Sequence, residues 1–223
     1  KQLLITIGLP FVDGVHEAEA ECAALEGLKI CQATISDDSD TFLFGSKCVI
    51  RNFFDNKRNI EVYTLSNIKR LTSFNNQLDM IGFASLTGSD YFIGIYGIGR
   101  VTATQIIEVL PQDNFSSGKD FAQKIKDNLS IDHKLKQKII DGFDFIDNDE
   151  IWQTYMNSLD KLRNKYQKNQ FIWQLIDNQK FENLLSKLPL KENDIKTAKK
   201  EFEKIKIKLE SKSSFIKLDR FLE

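Results

Sequence analysis

The sequence predicts an α/β fold: a mainly parallel sheet with flanking helices, followed by a largely helical remainder. Three observations carry that prediction. Residues 1–65 alternate short apolar runs with a helical pattern, which is how a parallel sheet and its covering helices are written. An acidic cluster follows one of those apolar runs directly, where strands of such sheets end and ligands collect. From residue 66 onward the spacing is helical, interrupted mainly by "GSDYFIGIYGIGR".

At 223 residues the chain can bury a real core, as one large domain or one domain with an appendage. Apolar residues make up 41% and charged residues 28%, ordinary values for a globular protein. No apolar run approaches the ~18–20 residues of a membrane span. The start, KQLLITIGLP, has neither Met nor a signal pattern, so the chain reads as a segment of something longer. Cys22, Cys31 and Cys48 lack metal-site spacing and read as reduced core thiols. Net charge is −1, but it is unevenly spread. Residues 1–150 carry 15 Lys and Arg against 22 Asp and Glu, whereas residues 151–223 carry 16 against 10. An acidic front half repels DNA unless cations neutralise it, and a basic tail attracts phosphate. A solvated Lys-rich helix face accounts for the tail equally well.

Taken in order, Ile5 to Val12 reads as extended around Pro10. His16 to Glu26, rich in Ala, Glu and Leu, reads as a helix, with Gly27 at its C-terminal cap. Ile30–Ile35, Cys48–Phe53 and Ile60–Leu65 are strand candidates, the last two parted by the turn "DNKRN". Residues 66–145 are helical around the glycine-rich interruption, and residues 146–223 are helix-prone, with Pro189 as the strong breaker. Within that tail "FIWQLIDNQKFENLL" reads as a helix docked by Trp173, Leu175 and Phe181.

Five acids stand out among apolar runs and glycine turns: Glu17 and Glu19 in "HEAEAEC", Asp38 and Asp40 in "TISDDSDTFLFG", and Asp90 in "LTGSDY". Carboxylates are rarely buried without compensation, and a divalent cation supplies it. Read as extended, the segment turns Asp38 and Asp40 to one side and Asp37 to the other. Glu17 and Glu19 diverge on a regular helix, so they converge only if Glu17 sits at the helix entrance, before regular dihedrals begin. Glu21 then reads as a solvated surface acid. Hard oxygen donors with no partnered His or Cys select Mg²⁺ or Mn²⁺, and two such ions about 4 Å apart can hydrolyse a phosphodiester. Taken singly, "DDSD" also fits a surface turn, and "GIG" an ordinary helix–helix turn.

Together, "HEAEAEC", "TISDDSDTFLFGSKCVIRNFF" and "LTGSDYFIGIYGIGRVTATQIIEVL" resemble the internal region of the flap endonuclease superfamily. The likeness is greatest to the xeroderma pigmentosum group G (XPG) branch and is dense over residues 8–110. The resemblance implies a PIN-like α/β core over residues 1–78, a helix-two-turn-helix over 79–145 and a basic helical carboxy-terminal extension over 146–223. It implies a nuclear, Mg²⁺-dependent, structure-specific DNA repair endonuclease that cuts near a single-strand/double-strand junction. Glu17, Glu19, Asp38, Asp40 and Asp90 would be its catalytic metal carboxylates for two Mg²⁺, with Mn²⁺ able to substitute. The hairpin would grip duplex phosphate through Gly97, Ile98, Gly99, Arg100 and Thr102, and bind K⁺ through the backbone oxygens of Gly94, Ile95 and Ile98. His16 departs from the family pattern and reads as an ordinary, partly exposed side chain. The family's amino-terminal aspartates are not in this chain, so weak or no activity is expected from it alone. "SSFIKLDRFLE" faintly resembles a sliding-clamp peptide anchored by Leu218, Phe221 and Leu222, although packing of Phe215 and Phe221 on the core fits it better. Rival readings are a flap-removing nuclease, a Holliday-junction resolvase, or a DNA-junction-binding relic without catalysis.

Overall fold

The computed structural model describes residues 1–14, 17–110, 115–142, 149–157, 162, 165–166, 171 and 177–211. Eleven helices and three strands are found among them. Their contacts divide the chain into two compact units, Gly14–Tyr166 and a second formed by Lys1–Asp13 with Gln167–Glu223.

The larger unit begins with α2 (Ala18–Gly27), whose N-terminal cap is Glu17, and reaches β1 (Thr34–Ile35). Buried Glu26 ties α2 to the next strand. It accepts the Lys47 and Cys48 backbone N–H groups, each at 2.9 Å, and the Thr34 hydroxyl at 3.4 Å. A short helix, α3 (Asp40–Leu43), leads to β2 (Cys48–Arg51), which runs parallel to β1. β3 (Glu61–Thr64) pairs antiparallel with β2, giving the order β1-β2-β3. Among the described strands the sheet is therefore mixed, and the mainly parallel expectation holds for β1–β2. The physical reason is loop length. The short stretch between β2 and β3 can close a hairpin, whereas a parallel return needs a crossover of a dozen or more residues. The strands are also shorter than their apolar runs.

The helical layer comes next, with α4 (Leu65–Leu71), α5 (Gln77–Thr87), α6 (Arg100–Val109), α7 (Gly118–Asp127), α8 (His133–Asp141) and α9 (Asp149–Met156). Local capping explains several starts. Asn76 accepts from the Asp79 N–H at 3.0 Å while Asp79 accepts from the Asn75 N–H at 2.7 Å, a reciprocal arrangement that closes the α5 entrance. Helix α5 is buried over most of its length, as befits an element hydrophobic all round. Met80, Ile81, Ala84 and Leu86 meet Phe44 of the α3 end, Ile106 and Ile107 of α6, Phe121 of α7, and Trp152 and Tyr155 of α9 in one core. Gly82 is required there, because a Cβ would stand 2.6 Å from the Phe121 ring.

The smaller unit holds α1 (Gln2–Thr6), α10 (Asn178–Ser186) and α11 (Glu192–Ser211). Ile5 and Thr6 are thus helical rather than extended. Thr6 bonds back to the Gln2 carbonyl at 2.8 Å and the Leu9 N–H to Leu4 at 2.9 Å, so the restriction that Pro10 imposes falls beyond the helix end. Pro189 lies between α10 and α11, as a strong breaker should. Phe181 stacks on Phe202 at 3.6 Å. Trp173, Leu175, Phe215, Leu218, Phe221 and Leu222 lie outside the described residues, as does His16.

Candidate active site and nucleic-acid interface

The acids are placed by three unrelated chain turns. Glu17 has extended dihedrals (φ −86°, ψ 132°) and precedes the first turn of α2, where Glu19 lies. The entrance position that would let the two converge is thus the one found, and the positive end of the helix dipole favours both charges. After β1 the chain bends sharply: the Asp38 N–H donates to the Ser36 hydroxyl at 3.1 Å and the Asp40 N–H to Asp38 Oδ1 at 2.9 Å. Asp38 and Asp40 are therefore joined by a turn at the mouth of α3, not by extended alternation. Asp37 does face the other way, accepting the Asn52 N–H at 2.7 Å. Asp90 follows α5 in a tight turn opened by Gly88 at φ 103°. Ser89 closes that turn, its hydroxyl accepting the Tyr91 and Phe92 N–H groups at 3.3 and 3.2 Å.

These turns share one electrostatic neighbourhood. Burial pushes the Asp40 carboxyl above its usual range. A hydrogen bond from Tyr155 opposes that, and the charges of Asp38, Asp90 and Glu19 reinforce it. The Tyr91 hydroxyl is pushed up to about 12 by burial, by its hydrogen bond to Glu17, and by the charges of Glu17, Asp40 and Asp90. It stays protonated and donates to Glu17 Oε1 at 2.7 Å. Burial also raises the Tyr155 hydroxyl, which donates to Asp40 Oδ2 at 3.0 Å. Among the described residues none of the five acids has a basic ion-pair partner. The set is a concentration of negative charge fronted by tyrosines.

Donor chemistry fits a hard divalent cation, since carboxylate oxygens are what Mg²⁺ takes. Among the described residues, however, no three His, Cys, Asp or Glu side chains are arranged to hold one ion by themselves. The donors fit in kind and form only a partial set.

Glu21 is a correction. It is not a solvated acid: at 4% exposure it is bonded to Lys165 Nζ at 2.8 Å and to the Tyr166 hydroxyl at 2.6 Å. Sequence reasoning also missed Ser89, Tyr91 and Tyr155. Tyr91 adjoins Asp90 in the motif and could have been noticed there. Tyr155 carries no local signal, because with Trp152 at i−3 it looks like a core face of α9.

Beyond Asp90 the chain makes a hairpin into α6. The Ile98 N–H donates to the Ile95 carbonyl at 2.9 Å across Tyr96 and Gly97, and Gly97 has φ 73°. That geometry is a type II turn, which requires a residue tolerating positive φ at its third position. Gly94 permits the close approach of the hairpin to the α5 end, for a Cβ there would lie 2.6 Å from the Gly88 nitrogen. Ile95 and Ile98 point into the core, while Tyr96, 96% exposed, and Ile93 project outward. Gly99 caps α6 without a side chain, leaving room for a ligand before the first-turn N–H groups of Arg100 and Thr102. Lys138 of α8 donates to the Gly97 carbonyl at 3.3 Å.

Residues 8–90 match the family described as the XPG I-region. DNA repair protein rad13 of Schizosaccharomyces pombe is 39% identical over 140 residues, covering 62% of this chain and 12% of that protein. The catalytic core of Rad2 in complex with DNA substrate superposes with a TM-score of 0.57 at 29% identity, covering 78% of this chain and 57% of that one. Human GEN1 in complex with Holliday junction DNA gives 0.54 at 30% identity, over 69% and 39% of the two chains. GEN1 with product DNA and a Mg²⁺ ion gives 0.50 at 25%, over 74% and 46%. The chain thus spans a small fraction of its curated relative and about half of the solved cores.

Proposed function

With an XPG I-region over residues 8–90 and the PIN-like nuclease fold of Rad2 and GEN1, we propose that this chain is the internal catalytic part of an XPG-type, structure-specific DNA repair endonuclease of the nucleus. The single observation that carries the reading is the hydrogen-bonded link from Asp38 to Asp40 and through Tyr155 to Ser89 of the Asp90 turn, with the charges of Asp38, Asp90 and Glu19 all acting on Asp40, ahead of a glycine hairpin and the N-terminus of α6. In this reading Glu17 and Glu19 serve the catalytic Mg²⁺, and Asp38, Asp40 and Asp90 a second one. Such ions, when bound, supply an activated water and stabilise the leaving oxygen. The chain's own part is to offer a partial donor set, to be completed by carboxylates from elsewhere in the full-length protein. The backbone of exposed Gly97 and Gly99 and of Ile98 between them, with Arg100 and Thr102, holds a phosphate of the duplex arm. The carbonyls of Gly94, Ile95 and Ile98 are the candidate donors to K⁺, which would add positive charge facing that phosphate.

A second reading, a Holliday-junction resolvase, is favoured by the likeness to GEN1 in complex with Holliday junction DNA. Mg²⁺-dependent incision of a labelled bubble, a 5′-flap duplex and a four-way junction by the full-length protein separates the two. Preference for the bubble supports the XPG-type reading, and preference for the four-way junction supports the resolvase. Asp38→Ala should abolish incision while leaving junction binding in place. Undiminished cutting by that variant would remove the assignment of these acids.

A further inference from the structure

A carboxylate that serves a cation must have its orientation held from behind, and the group that holds it governs ion affinity without touching the ion. Asp40 has such a group. Tyr155 is fully buried in α9, with its ring against Phe44 at 4.8 Å, Tyr91 at 5.4 Å and Phe92 at 6.0 Å between centroids. Its backbone is held as well: Gln77 Nε2 donates to the Tyr155 carbonyl at 3.3 Å and to that of Leu43 at 2.6 Å. The hydroxyl lies 3.0 Å from Asp40 Oδ2 and 3.1 Å from Ser89 Oγ.

The direction of these bonds is set by chemistry. An ionised carboxylate only accepts, so Tyr155 donates its proton to Asp40. Its oxygen is then left to accept, and the Ser89 hydroxyl donates to it. Ser89 Oγ in turn accepts the Tyr91 and Phe92 N–H groups. One directed chain therefore runs from the backbone of the turn that carries Asp90, through Ser89 and Tyr155, to Asp40. We propose that Tyr155 is the positioning residue for Asp40, keeping it in register with the Asp90 turn so that the two acids can serve one divalent ion. The inference rests on the endonuclease reading above and adds to it a residue from α9, beyond the matched residues 8–90. A tyrosine that merely fills the core would need its ring but not its hydroxyl.

Tyr155→Phe in the full-length protein separates the two roles, since the ring stays and the hydroxyl goes. Mn²⁺ affinity is read without DNA from the paramagnetic resonance of free Mn²⁺. Incision is read as a function of Mg²⁺, junction affinity in EDTA, and thermal unfolding alongside. The expected result is a 10- to 100-fold weaker Mn²⁺ affinity, the range for groups behind a metal ligand. The Mg²⁺ needed for half-maximal incision should rise similarly, with cutting recovered at high Mg²⁺ and junction affinity unchanged. Wild-type Mn²⁺ affinity and Mg²⁺ requirement in Tyr155→Phe overturn the inference while leaving the endonuclease reading standing. A wild-type protein that binds no Mn²⁺ and cuts nothing overturns both. Should Tyr155→Phe unfold, Ser89→Ala interrupts the same chain without touching the ring. Weaker Mn²⁺ binding in that variant supports the inference, and unchanged binding overturns it.

Discussion

Helix α2 carries two kinds of carboxylate a few residues apart. Glu21 and Glu26 are buried and supplied with donors: Lys165 and Tyr166 for the first, two backbone N–H groups and Thr34 for the second. Glu17 and Glu19 stand at the helix entrance, and the charges they meet include acids like themselves: Glu17 and Asp90 both press on Tyr91, and Glu19 with Asp38 and Asp90 on Asp40. The first pair belongs to the fold, because each charge is compensated within the chain. The carboxylates of the second pair accept, among the described residues, only the Tyr91 hydroxyl on Glu17, and in the proposed endonuclease reading the rest of their compensation comes from bound cations. Residue type and helix position do not separate the two pairs; the partners do.

That contrast can be broken most forcefully at Asp90. Asp90→Ala should reduce incision by the full-length protein more than about a hundredfold, beyond what a residue behind the ligands commands. Its melting temperature should hold or rise slightly, because the remaining acids repel one another less. A variant that unfolds but, when folded, still cuts would place Asp90 with the structural acids. Glu21→Ala should do the reverse. It removes the carboxylate that accepts from the Tyr166 hydroxyl and from Lys165, so urea denaturation should show a loss of about 1.5–3 kcal/mol, the worth of hydrogen bonds to a charged group. Unchanged stability would mean that the Lys165 and Tyr166 bonds contribute nothing.

The smallest effect is expected at Glu26 and depends on pH. Burial raises its carboxyl above the usual value, against the lowering influence of Lys47 and Cys48 backbone bonds and of Ser46 and Thr34. A raised folded-state value means that the contribution to stability is fully present below the unfolded value. It is lost as pH rises through the folded one. Glu26→Gln keeps an acceptor for both N–H groups and sheds the buried charge. It should therefore match or exceed the wild type at neutral pH by less than about 1 kcal/mol and flatten the decline between acidic and neutral pH. A wild type whose stability climbs over that interval, with no change in the variant, would contradict the assignment.

Much of the site was legible because its parts are local. The Glu17 entrance position follows from the need for Glu17 and Glu19 to converge, although the helical pattern reads from His16 and the helix begins at Ala18, and the hairpin glycines sit where positive φ is required, at Gly94 and Gly97. Asp37, Asp38 and Asp40 come after β1 as read, although a turn and not an extended strand joins the last two. The helical character of residues 66–142 was written in their spacing, and Pro189 marked the break between α10 and α11.

The sequence by itself thus determined the groups on offer: hard oxygen donors beside a glycine hairpin and a helix N-terminus, on an α/β frame. These depend on residue type and on neighbours within a turn or two, where spacing translates directly into geometry. Only the tertiary structure decided which acids stay uncompensated and which groups hold them. The Tyr155–Asp40 bond joins residues 115 apart, and the bonds of Glu21 to Lys165 and Tyr166 join residues 144 and 145 apart. No periodicity specifies such partners, since any buried aromatic or basic side chain of the helical layer has the same local pattern. Which of them reaches an acid is fixed by how α9 packs against α5 and the turn beyond it.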